Sequence, residues 1–177
     1  MKILTAVFIL MVSLAGCAQS PVTTDYDPMI DFSQFNSYGW ASAGSAAFGQ
    51  SDDGLMDRRI QRAVADEFAM RGLVYNAENP DLLIGYQLKR ETKVQYYHYP
   101  LISHYHYAHR HTPLFYDDRV VVHQYDEELL ILDVFESDHS LIWRGGYRSV
   151  AKNKPDPTAR ELYVRDRVAE ILQTFPR

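Results

Sequence analysis

Two groups of side chains in this chain are of types and spacings that could do chemistry. The first is a single thiol: Cys17 is the only cysteine of 177 residues and closes the tetrapeptide Leu14-Ala15-Gly16-Cys17. Ahead of it Lys2 supplies a positive charge, and Ile3 to Ser13 form an apolar run of about eleven residues, the pattern of an export signal ending at small residues. That run is shorter than the roughly twenty apolar residues a spanning helix needs. A lone cysteine forms no disulfide within its chain. The second group is residues 96–111, Tyr-Tyr-His-Tyr-Pro-Leu-Ile-Ser-His-Tyr-His-Tyr-Ala-His-Arg-His. It holds five of the seven histidines: His98, His104, His106, His109 and His111. Neutral imidazole binds zinc and copper well. In an extended segment His104 and His106 point to one side, as do His109 and His111. Asp117 and Asp118 would add oxygen ligands or outer support.

Leu-Ala-Gly-Cys resembles the bacterial lipobox. The resemblance implies that residues 1–16 are removed as a lipoprotein signal peptide and that Cys17 carries a diacylglyceryl group and an acylated amino terminus. Each buried methylene contributes about 0.8 kcal/mol, so three chains make a lasting anchor where one is marginal. The next residue is Ala18 and not Asp. By resemblance to the sorting rule of enteric bacteria, this implies the outer membrane, with the domain in the periplasm.

A tight metal site needs three or four ligands held by partners of their own. Nothing in the histidine spacing fixes such a geometry. The leading reading of residues 96–111 is therefore a contact surface, in which Tyr97, Tyr99, Tyr105 and Tyr107 offer large area at low entropy cost. No cofactor is expected on that reading. The alternative is a periplasmic metal-binding lipoprotein that holds zinc or copper through the His-rich loop 98–111.

Composition excludes several other classes. Removing the leader costs only Lys2 among the 18 basic residues, so 17 face 23 acidic ones and the formal charge becomes −6. A chain this acidic, without a dense Lys/Arg block, is not built to bind a phosphate backbone, so no nucleic-acid partner is expected. There is no Gly-x-Ser-x-Gly elbow, no His-Glu-x-x-His and no phosphate-cradling glycine loop. Carboxylate runs such as Asp126-Glu127-Glu128 suit solvated faces better than acid/base pairs, which need their pKa values pushed apart. The expectation is a protein that is not an enzyme.

The elements that must position these groups follow from periodicity. Residues 17–24 read as lipidated Cys and tether, and residues 25–177 as one domain. Val22–Asp27 and Ser37–Ala41 have strand character. In Leu55–Arg71, Ile60, Ala63, Val64 and Phe68 make one apolar helical stripe, with Arg58, Arg59, Arg62 and Asp66 on the wet side. Asp52 or Asp53 is placed to cap that helix, and Gly72 to end it. Alternation from Leu82 predicts a strand to about Tyr97, then a connection over residues 98–118, then strands at Arg119–Tyr125 and Glu127–Glu136. Ser137 to Ser140 turn the chain into Leu141–Val150, with Leu141, Trp143 and Tyr147 on one face and Arg144 and Arg148 on the other. Thr158 and Glu161 match a capping box for a last helix burying Leu162, Val164, Val168, Ile171, Leu172 and Phe175. Hairpins plus two separated helices predict an α+β fold, an antiparallel sheet with two helices packed on one face.

An ordered set of landmarks runs through this frame. Asp25-Tyr26-Asp27-Pro28, Asp31-Phe32-Ser33, Tyr38-Gly39-Trp40, Pro80-Asp81-Leu82-Leu83, Leu130 to Asp133, Ile142-Trp143-Arg144-Gly145 and Phe175-Pro176 occur in this order. Together they resemble the bacterial lipoproteins of domain of unknown function family 4136, over about Thr24 to Pro176. The resemblance implies an envelope lipoprotein with an α+β domain and carries over no catalytic residue. The expected role is a membrane-anchored, non-catalytic structural or interaction module. Its partners would be the membrane, through Cys17, and an envelope protein or peptidoglycan.

Overall fold

The computed structural model describes residues 20–41, 54–101, 117–151 and 156–176; at 99–101 and 117–119 it describes the backbone alone. The elements are β1 (Val22–Tyr26), a short 3-10 turn (Phe32–Gln34), β2 (Ser37–Trp40), α1 (Gly54–Met70), β3 (Val74–Tyr75), β4 (Leu82–Leu101), β5 (Asp117–Glu136), β6 (Leu141–Val150) and α2 (Pro157–Leu172). The strands form one six-stranded sheet in the order β1-β6-β5-β4-β2-β3. The α+β class and single domain are as the periodicity predicts. The sheet is mixed, however, because β2 runs parallel to both β3 and β4. A helix between two neighbouring strands brings the chain back in the same direction, and α1 is such a crossover. The turn from β3 to β4 then passes over β2 at Gly39. A Cβ there would lie 2.9 Å from the Asn76 carbonyl oxygen and 2.9 Å from Pro80 Cγ, so the crossing requires glycine.

One sheet face is covered by both helices. Ile60, Val64 and Phe68 of α1 and Val164, Val168 and Ile171 of α2 pack with Leu82, Ile84, Leu132, Val134 and Trp143 into a single core. Phe175 closes it, edge-on to Phe32 and Trp143 at centroid distances of 5.4 Å each. The Trp143 indole N–H, fully buried, has no hydrogen-bond partner among the described residues. Gly145 lies beneath α2, where a Cβ would overlap Ile171 Cγ2 and the Trp143 ring.

Local chemistry overrides the periodic pattern at several points. Arg59 lies inward, its Nε 3.5 Å from Glu161 on α2, because the two helices meet along that line. Leu162 is 53 % exposed, since the inner stripe of α2 runs through Val164, Val168 and Ile171. The cap of α2 is Asp156, whose Oδ2 accepts from the Ala159 amide at 2.7 Å, with Pro157 as the first helical residue. Aspartate before an N1 proline outcompetes a Thr158 cap, since proline's missing N–H is one the helix start leaves unused. On β6 a bulge shifts the register between Val134 and Phe135, so Ile142 is buried and Leu141 faces out. Gly72 takes φ +77° just after α1, as its place predicts. Asp52 and Asp53 lie outside the described residues.

Candidate interaction surface

β4 and β5 are each 20 residues long, and each pairs with the other along its whole length, from Leu82–Glu136 to Leu101–Asp117. The other strands stop early. β6 ends at Val150 opposite Glu127, and β2 reaches only to Trp40 opposite Ile84. Ten β4–β5 pairs, Thr92–Asp126 through Leu101–Asp117, therefore stand beyond the sheet as a two-stranded arm. Asp126, where the sequence suggests a break between two strands, is held in line. Its Oδ1 accepts from the Thr92 hydroxyl at 2.8 Å, and its carbonyl accepts from the Ala151 amide at 2.7 Å.

The arm exposes apolar and aromatic groups on both faces. Val94, Tyr96 and Val122 lie on the face that continues the helix-covered side, and Tyr97 and Val121 lie on the other. Tyr96 is 63 % exposed, and none of Val94, Tyr97, Val120, Val121 or Val122 is buried. Tyr97 meets His123 edge-on at 6.5 Å. Segments 94–101 and 120–125 contain no Asp, Glu, Lys or Arg. An isolated two-stranded ribbon is marginal in water because it has no face to bury. A long one with this composition presents surface for something else to cover.

Charged pairs gather at its root. Arg148 Nη1 donates to Glu127 Oε2 at 2.9 Å, Lys93 Nζ to Glu91 Oε2 at 2.6 Å, and Arg90 to Glu128. The Glu128 pair holds the Arg90 guanidinium above its ordinary pKa, against a smaller opposing effect of burial. Asp126, Glu127 and Glu128 thus serve cross-strand contacts, and Glu128 is buried rather than solvated. Farther back, Arg144 grips the fully buried Asp133 with two bonds, Nε to Oδ1 at 2.5 Å and Nη2 to Oδ2 at 2.9 Å. This is the carboxylate partner that the wet face of β6 leads one to expect.

Two concavities flank this surface. One, of about 30 Å³, lies between the helices and the sheet beside Glu128, Tyr147, Ser149 and Tyr163. The Arg167 guanidinium stacks over Tyr163 at 3.7 Å there, and the Ser149 and Tyr163 hydroxyls are 3.1 Å apart. It has room for a water or two, far less than an organic ligand needs. The other is an open groove of about 440 Å³ along Trp40, Tyr75, Arg58 and Arg62. Among the described residues that line it there is no carboxylate to act as acid or base. Beside it, burial and then a hydrogen bond to Asp57 push the Tyr86 hydroxyl well above its ordinary pKa, a sign of packing rather than of a poised acid.

Of the residues singled out by sequence, Tyr97 sits exposed on the arm, and Tyr99 follows it on β4 with only its backbone described. His98 lies between them, exposed and opposite Val120. Cys17, His104, His106, His109, His111, Tyr105 and Tyr107 all lie outside the described residues. Among the described residues no group of three or more His, Cys, Asp or Glu is placed to hold a metal. Sequence reasoning placed Tyr96 at the start of the contact segment but left out Val94 and the three-valine run at 120–122. The strand pattern on either side of the predicted connection was the signal that would have found them.

The chain matches the family model described as Domain of unknown function (DUF4136) over residues 22–177, and so belongs to that family. No curated protein matches it. Among solved structures it is similar to a PDZ domain protein from Parabacteroides distasonis, with a TM-score of 0.58 and 12 % identity over 89 % of this chain. The chain spans 35 % of that protein's length, and the likeness is one of fold. A PelC dodecamer from Paraburkholderia phytofirmans aligns more loosely, with a TM-score of 0.47 and 6 % identity over 85 % of this chain and 93 % of the other.

Proposed function

We propose that the protein is a lipoprotein of the cell envelope, held to the outer membrane through Cys17, with a non-catalytic domain in the periplasm that works by contact. The observation that carries this reading is the β4–β5 arm: ten strand pairs beyond the sheet, bearing exposed Tyr and Val side chains, with segments 94–101 and 120–125 free of charge. Folding does not use that surface, because no described arm residue is buried. The concavities favour contact over catalysis, one being too small for an organic substrate and the other lacking paired carboxylates. The anchor supports the same reading, since a contact module gains effective concentration by being confined to one surface.

The test is intact-mass analysis of protein extracted from the host envelope. The expected product begins at Cys17 and carries a glycerol with two acyl chains on sulfur and a third on the amino group. Cys17→Ser should move the protein out of the membrane fraction. An unmodified thiol would defeat the proposal.

A further inference from the structure

The chain enters β1 at the same end of the sheet from which the arm departs. Val22 pairs with Tyr147, the Pro21 carbonyl accepts from the Arg148 amide at 3.1 Å, and β6 reaches the root of the arm at Val150–Glu127. Three residues, Ala18 to Ser20, separate Cys17 from Pro21, so four chain steps join them. Even fully extended they span at most about 14 Å. The ten pairs of the arm reach roughly 33 Å beyond its root. Resting on the lipid anchor proposed above, this geometry leaves two arrangements. Either the arm meets the bilayer surface, or the domain turns over and its opposite end does.

Charge decides between them. The opposite end carries Asp27, Asp81, Glu136 and Asp138 around the strand ends, with Asp27, Asp81 and Asp138 exposed. An anionic phospholipid surface repels that end. The twenty paired residues of the arm set Lys93 and Arg119 against Asp117, Asp118 and Asp126, a net charge of only −1. Segments 94–101 and 120–125 carry no formal charge and include tyrosines, the side chain favoured at the headgroup boundary because one end is apolar and the other wet. Depth is limited as well. Among the described residues both outer edges of the arm lack strand partners, and unpaired backbone groups are excluded from hydrocarbon.

We propose that the β4–β5 arm is a membrane-contact element. It lies in the headgroup region of the bilayer that holds the Cys17 lipid, with Val94, Tyr96 and Val122 as its main contacts, and it fixes the orientation of the domain. The test uses the acylated protein reconstituted in phosphatidylethanolamine–phosphatidylglycerol vesicles containing brominated phosphatidylcholine. Tyr96→Trp and Tyr97→Trp each place a reporter on one arm face, with the native Trp40 and Trp143 as the background signal. Circular dichroism confirms folding, and flotation confirms the anchor.

The expected result is a blue shift and a roughly twofold bromine-dependent loss of the added emission for Tyr96→Trp, as for an indole at the lipid interface, and a smaller effect for Tyr97→Trp on the other face. Floating protein whose reporters show no quenching beyond wild type would overturn the membrane contact and leave the anchor intact. A blue shift without bromine quenching would overturn it in favour of contact with a second copy. Failure to float would remove the anchor and with it this inference.

Discussion

Asp133 is fully buried and acidic, and Arg144, itself 49 % exposed, makes its inclusion tolerable. Removing one member of such a pair strands the other charge, so Arg144→Ala should cost about 2–3 kcal/mol in urea denaturation. Arg148→Ala, from the more exposed pair with Glu127, should cost less than about 1 kcal/mol. Asp81 carries a pH prediction. The Asn36 amide, and then the Ser37 hydroxyl, hold its carboxyl below the usual carboxylate range, with burial opposing weakly. A depressed folded-state value stabilises the fold above the unfolded value of about 3.9 and is lost as pH falls through the folded one. Acid denaturation below about pH 4 should therefore be steeper in wild type than in Asp81→Asn, which lacks the titrating group. Residue-level reading of the sequence succeeded where one rule governs a position, as at Gly72. It failed at Arg59, Leu162 and Thr158, where a neighbouring helix or a competing cap decides.

At the scale of elements, the glycine beneath α2 and the arm make opposite predictions. Gly145→Ala forces a methyl against Ile171 and Trp143 and should destabilise by about 1–3 kcal/mol. Replacing residues 93–125 by an Asn-Gly turn between Thr92 and Asp126 removes more than thirty residues, none of the described ones buried. That shortened chain should melt within roughly 5 °C of the parent, since the core is intact. Both helices and most strands were legible because their apolar residues recur at helical or alternating spacing. The arm's strands were legible as far as Tyr97 and from Arg119, but their standing beyond the sheet was not, because alternation does not show where the neighbouring strands stop. Histidine and tyrosine then drew the boundary of the connection too early, at residue 98 in place of 102.

For the whole molecule, local patterns give the class of sheet but not every strand direction. Nothing in Ser37 to Trp40 signals that β2 is parallel to its neighbours; that follows from α1 crossing over and from Gly39 letting the next turn pass. The histidine and tyrosine calls at 104–111 lie outside the described residues, as does Cys17. The candidate site thus shifted to the arm from which that segment continues. On the proposed reading, a domain anchored at one corner and armed at the same end works at a surface, and not in its groove or its small cavity. Hydrogen–deuterium exchange can compare every amide of the acylated protein on vesicles with the Cys17→Ser protein free in solution. Slowed exchange concentrated at residues 94–98 and 120–125, with the core unchanged, is the predicted result. Slowing confined to Trp40, Tyr75 and the groove beside them, with the arm exchanging equally in both states, would contradict it.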